Sequence, residues 1–139
     1  MLALALASGL ACACSSSSPD TSAPGSFPAA VLVSSMSAGG TLRVDVRTSP
    51  DQPPSRGTSS VELTLTDVRG APVDGLTLTV VPWMPAMGHG TAVPPVVTPA
   101  GNGRYVLTNV NMFMPGEWDL RTTFEGSVSD HAAPALQIP

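Results

Sequence analysis

Hydrophobic and polar side chains alternate along several short segments of the chain, which is the pattern that a half-buried β-strand produces. In residues 41–47, Leu42, Val44 and Val46 alternate with charged side chains. The same period of two recurs in the segments 61–66, 76–80, 104–108 and 118–124. These segments are predicted to be strands that bury one face and expose the other to solvent.

Three further segments carry a weaker strand pattern. Residues 31–36 predict a first edge strand. Residues 93–98 contain a Pro-Pro pair, which favours an edge position because proline cannot donate a hydrogen bond to a neighbouring strand. Residues 128–138 predict a last, irregular strand that Pro134 interrupts. Since no helical period occurs, the chain is predicted to be all-β: an immunoglobulin-like β-sandwich of seven to eight antiparallel strands.

The charge balance excludes one class of partner. The 139 residues include six arginines and no lysine, and the formal net charge is −4. Without a cluster of basic side chains to neutralise phosphates, nucleic-acid binding is not expected. The acidic side chains fall mostly at outward strand positions or in turns, where we expect them to keep the surface soluble.

The first residues have the character of a targeting signal. An apolar run that is too short to span a bilayer precedes Cys12. We therefore expect residues 1–12 to be a lipoprotein signal, with Cys12 as the lipidated residue. Residues 13–30 are rich in Ser, Pro, Ala and Gly and are expected to be a disordered tether, while residues 31–139 form the folded domain.

An ordinary secretory signal with incidental cysteines is the alternative interpretation of the N-terminus. Both interpretations place the domain outside the cytoplasm, in the periplasm or cell envelope. The lipoprotein interpretation adds an anchor, because acyl chains hold a protein at a membrane without a spanning helix.

Two short segments hold most of the soft metal-binding side chains. Residues 83–90 read WMPAMGHG and residues 111–118 read NMFMPGEW. Antiparallel strand order brings both segments to one end of the sandwich, because two chain reversals separate them. Their candidate metal ligands are Met84, Met87, His89, Met112 and Met114.

Thioether and imidazole groups suit Cu(I), whereas hard cations prefer oxygen ligands. Trp83 and Trp118 are expected to shield a bound cation or stack on it. In a preformed site, the side chains of His89, Met87 and Met114 should lie within roughly 4–8 Å of one another. The competing interpretation is that the methionines fill irregular gaps under the loops.

Catalytic chemistry finds no support in the sequence. The folded part has no cysteine nucleophile, and neither a Ser-His-Asp context nor a Gly-rich phosphate loop occurs. We therefore expect a binding protein and not an enzyme.

Four motifs together resemble the YtkA-like family and the related FixH-like domains. They are GAPV at 70–73, MPAMGHG at 84–90, GRY at 103–105 and MPGEWDL at 114–120. The resemblance implies an immunoglobulin-like extracytoplasmic domain associated with copper handling and with the assembly of copper-containing oxidases. A similar Met-Pro-x-Met element occurs in periplasmic adaptors of metal efflux pumps.

The expected partners are therefore a copper ion, a copper-oxidase assembly or efflux component, and a membrane reached through a lipid anchor. The first hypothesis is a Cu(I) chaperone, buffer or delivery module. The alternative is a structural or protein-interaction domain of the cell envelope that binds no metal.

Overall fold

The computed structural model describes residues 26–139, and all regular secondary structure in that part of the chain is β-strand. Residues 1–12, Cys12 and most of the predicted tether lie outside the described residues. No helix that could span a membrane occurs between residues 26 and 139. The strands are β1 (Val33–Met36), β2 (Leu42–Ser49), β3 (Gly57–Asp67), β4 (Thr77–Met84), β5 (His89–Gly90), β6 (Val96–Gly101), β7 (Arg104–Met112), β8 (Gly116–Glu125), β9 (Asp130–Ala132) and β10 (Ala135–Ile138).

The strands form two antiparallel sheets of five strands each. One sheet has the order β1-β2-β3-β7-β6, and the other has the order β10-β8-β4-β5 with β9 also paired to β8. The all-β antiparallel sandwich predicted from the sequence is thereby confirmed. The core lies between the sheets, and the alternation in the sequence identified its main members, which are fully buried: Leu42, Val44, Val46, Val61, Leu63, Leu65, Tyr105, Leu107, Trp118, Leu120 and Phe124.

Residues 26–139 form ten strands where seven to eight were expected, for two local reasons. The predicted last strand is divided into β9 and β10, which flank Pro134. The other addition is β5, whose two residues pair with the end of β4 and are too few to show a period of two. Residues 93–95 are not in a strand; β6 begins at Val96 and lies at an edge of its sheet, as the prolines predicted.

The two ends of the sandwich differ in their connections. The β2–β3, β4–β5 and β7–β8 connections lie at one end, which we call the upper end, because β4 and β7 both run towards it and β8 runs away from it. The β1–β2, β3–β4 and β6–β7 connections lie at the lower end. The sequence motifs with methionine and histidine are therefore all at the upper end.

Tyr105 fastens the lower end. Its hydroxyl donates to the carbonyl of Val73 at 3.0 Å and accepts from the amide of Leu76 at 3.2 Å. Both partners belong to the connection between β3 and β4, which crosses from one sheet to the other. One buried side chain thus fixes the crossover, in the manner of a tyrosine corner.

Glu62 corrects the expectation that the acidic residues lie on the open surface. Its side chain is buried on the outer face of β3, between two arginines from neighbouring strands. The nearest nitrogen–oxygen distance is 3.7 Å to Arg47 and also 3.7 Å to Arg104. The carboxylate is covered because long side chains from β2 and β7 lie over it, a relation between strands that a single sequence does not display.

Candidate metal centre

The two methionine-containing segments meet at the upper end of the sandwich, as strand order predicted. The β4–β5 hairpin supplies residues 83–90, and the β7–β8 connection supplies the second segment. The terminal methyl of Met84 reaches the start of β8 so closely that a Cβ placed on Gly116 would lie 2.8 Å from it. Gly116 is therefore a point where the two segments come into contact.

The β4–β5 hairpin puts a thioether and an imidazole side by side. Met84 and His89 are direct partners in the antiparallel pair, so their side chains leave the same face of the sheet with Cβ atoms about 4.5–5.5 Å apart. That face is the inner one, because Met84 is buried in the core. His89 is half-buried at the open edge of the same face.

A tight turn fixes this register. The carbonyl of Met84 accepts hydrogen bonds from the amides of Met87 at 3.1 Å and Gly88 at 3.0 Å. Gly88 has φ +66, a left-handed conformation that glycine adopts without steric cost. Met87 lies at the tip of the turn, and 54% of its surface is exposed.

The second segment separates its two methionines by environment. Met112 ends β7 and is fully buried in the core. Met114 is half-buried and packs against the edge of the core, and its carbonyl accepts a hydrogen bond from the indole nitrogen of Trp118 at 2.9 Å. Phe113, between the two methionines, is 55% exposed. Met114 is thus the accessible thioether of this segment.

The two tryptophans that were expected to shield a cation or stack on it lie in different environments. Trp83 precedes Met84 in β4, so its side chain leaves the outer face of the sheet and points away from the Met84–His89 pair. The guanidinium of Arg121 lies over its ring, 4.3 Å from the centroid. Trp118 is fully buried in the core, with Phe113 edge-on to it at a centroid distance of 5.9 Å.

The donor set at the upper end is soft. Among residues 26–139, no group of three or more His, Cys, Asp or Glu side chains lies close enough to hold a metal ion. In the same part of the chain, no hydrogen bond or ion pair engages the His89 imidazole, whereas the other histidine, His131, lies 3.9 Å from the carboxylate of Asp130. Thioethers and one uncommitted imidazole are the ligand types that Cu(I) accepts.

Sequence reasoning named the five candidate ligands but missed Gly116. Its φ is +124, in a region that side chains with a Cβ rarely adopt. The available signal was the Pro-Gly pair at 115–116, which marks a sharp change of direction between strands.

Comparison with known proteins adds one match. A model of the YtkA-like family matches residues 38–123, which is more than half of the chain and includes both segments of the candidate site. No curated protein and no solved structure matches the chain.

Proposed function

The chain belongs to the YtkA-like family, whose domains are generally extracytoplasmic, and on that premise we propose that it binds Cu(I) outside the cytoplasm. The proposed ligands are His89, Met87 and Met114. The protein then acts as a chaperone, buffer or delivery module for copper, held at the membrane by a lipid on Cys12.

The observation that carries the proposal is the pairing of His89 with Met84 on the inner face of the sheet. The Met84 methyl reaches Gly116, which is two residues after Met114 in the chain. The imidazole of His89 and the thioether of Met114 therefore belong to two loops in contact. Both side chains are half-buried, so each combines accessibility with partial protection from water.

The proposal assigns different roles to the two remaining candidate ligands, Met84 and Met112. Met84 lies beside His89. It supplies a fourth donor if its side chain rotates away from Gly116 and towards the metal. Met112 is enclosed in the core, where it is assigned to packing, because methionine fills irregular gaps well.

The test is an anaerobic titration of the purified full chain with Cu(I) against a chromogenic Cu(I) chelator. One Cu(I) per chain is expected at an affinity that competes with the chelator. His89→Ala and Met114→Leu are each expected to weaken binding by about tenfold or more, since each removes one donor.

The chain offers matched controls. His131→Ala removes the other histidine, whose side chain is 72% exposed, and Met36→Leu removes an exposed thioether at the lower end. Both controls should bind Cu(I) as the unaltered chain does. If the unaltered chain takes up no stoichiometric copper, the alternative of a metal-free structural or interaction domain replaces the proposal.

A further inference from the structure

Two exposed hydrophobic side chains project from the upper end of the sandwich. Met87, at the tip of the β4–β5 turn, is 54% exposed, and Phe113, in the β7–β8 connection, is 55% exposed. Neither the turn 85–88 nor the connection 113–115 contains a charged residue. Burying these tips in an apolar environment would therefore desolvate no formal charge.

The absence of charge extends over a long part of the chain. From residue 81 to residue 116 the only formally charged side chain is Arg104, which begins β7 at the lower end. The charged groups at the upper end lie beside the tips and not on them. They include Asp51 and Arg56 in the β2–β3 connection, Glu117 and Asp119 near the start of β8, and Arg121, whose guanidinium lies over the Trp83 ring.

The chain also approaches the domain from the upper end. Before β1, the carbonyl of Ala30 accepts a hydrogen bond from the side-chain amide of Gln52, in the β2–β3 connection, at 2.8 Å. The carbonyl of Ala29 accepts from Arg47 of β2 at 3.4 Å. Ala29 and Ala30, which precede β1, are thus fixed to the same end as Met87 and Phe113.

We propose that the upper end of the sandwich rests on a lipid bilayer, with the side chains of Met87 and Phe113 in the headgroup region. The inference depends on the anchoring part of the proposed function. With a lipid on Cys12, 13 residues separate the anchor from Ser26, and they reach at most roughly 45 Å. The described chain enters the domain at the upper end, through Ala29 and Ala30.

A bilayer fits this end better than strand addition by a protein partner. One sheet edge at this end, β5, has only two residues, and another, β6, has Pro94 and Pro95 before the strand and Pro99 within it. Proline cannot donate hydrogen bonds to an added strand. If the upper end rests on lipid, the proposed copper ligands open towards the membrane, so copper is exchanged at the bilayer surface.

The test uses the metal-free full chain with ¹³C-labelled methionine methyl groups, attached to nanodiscs of neutral phosphatidylcholine that contain a spin-labelled headgroup lipid. Met36 is a matched internal control, because it is 52% exposed and lies at the lower end. The methyl signal of Met87 should be broadened several-fold more than that of Met36. Equal broadening, or stronger broadening of Met36, would overturn the proposal, and so would a chain that does not attach to the nanodiscs.

A pair of variants checks that the contact is made by the tips. Phe113→Asp should reduce the broadening of the Met87 methyl. Val68→Asp, at a residue that is 74% exposed at the lower end, should leave it unchanged. Because no copper is present in this experiment, equal broadening of the Met87 and Met36 methyl signals would count against the membrane contact alone. A failed copper titration, with the Met87 signal still broadened more than that of Met36, would count against metal binding alone.

Discussion

His89 lies directly opposite Met84 in the β4–β5 pair, so the imidazole and the thioether leave one face of the same sheet. The four residues of the turn set this register, and a slip of one residue would place the two side chains on opposite faces. The geometry of the candidate site therefore depends on a turn that Gly88 closes with φ +66.

Gly88→Ala is expected to lower the free energy of unfolding by about 1–2 kcal/mol, because a Cβ is unfavourable at a left-handed φ. It should also weaken Cu(I) binding several-fold, since the turn holds His89 opposite Met84. Urea unfolding and the chelator titration measure the two effects.

Gly40→Ala is the control for this prediction. Gly40 has φ +70 in the β1–β2 turn at the lower end, and neither glycine has a neighbour within 4 Å of an added Cβ. A similar loss of stability with unchanged copper affinity is expected. If Gly40→Ala weakened copper binding as much as Gly88→Ala, the effect would be global and the turn would have no special part in it.

Met112 and Met114 should respond in opposite ways to substitution. Met112→Ala opens a cavity in the core and is expected to cost about 2–5 kcal/mol of stability, while Met112→Leu keeps the volume and should leave copper affinity unchanged. Met114→Leu should retain most of the stability and lose copper affinity. Urea unfolding combined with the Cu(I) titration separates the two. Loss of copper binding in Met112→Leu with an intact fold would instead place the buried thioether among the ligands.

Much of the fold could be predicted from the sequence, because the alternation of hydrophobic and polar residues indicates directly which side chains are buried. Leu42, Val44 and Val46 were predicted to face inward, and all three are fully buried. The same alternation, followed from Leu78 to the end of β4, places Trp83 on the outer face. Its position away from the Met84–His89 pair could therefore have been predicted from the sequence alone.

Other features depend on neighbours that the sequence does not reveal. The burial of Glu62 requires Arg47 and Arg104 to come from two adjacent strands. The contact of Met84 with Gly116 requires the β4–β8 register. Strand order placed both loops at one end, but it could not distinguish a buried thioether from an accessible one.

Tyr105→Phe is expected to lower the free energy of unfolding by roughly 1–3 kcal/mol, because the hydroxyl bonds to Val73 and Leu76 are lost and buried backbone groups are left unpaired. Copper affinity should not change, since Tyr105 lies at the lower end. Urea unfolding with the same titration measures both quantities. An unchanged unfolding midpoint would mean that the crossover between the sheets does not depend on this hydroxyl.

Asp130 should make stability depend on acid pH. Its carboxylate joins the β1–β2 turn of one sheet to β9 of the other. The nearby Ser37 hydroxyl, with hydrogen bonds from Thr41 and from the backbone amides of His131 and Gly39, holds the pKa of Asp130 well below its usual range. These donors stabilise the charged form, so protonation of the carboxyl group favours the unfolded chain.

The sign of the effect follows from that lowered pKa. The contribution of Asp130 is fully present above the ordinary carboxyl pKa of about 3.9 and is lost as the pH falls from there through the lower folded value. Asp130→Asn should therefore be less stable than the unaltered chain at pH 7, and the difference should shrink at pH 3. Glu125→Gln, at an exposed carboxylate that ends β8, serves as the control and should show little difference at either pH. Urea midpoints at the two pH values measure this, and a difference for Asp130→Asn that stays constant between them would show that the carboxylate charge does not contribute.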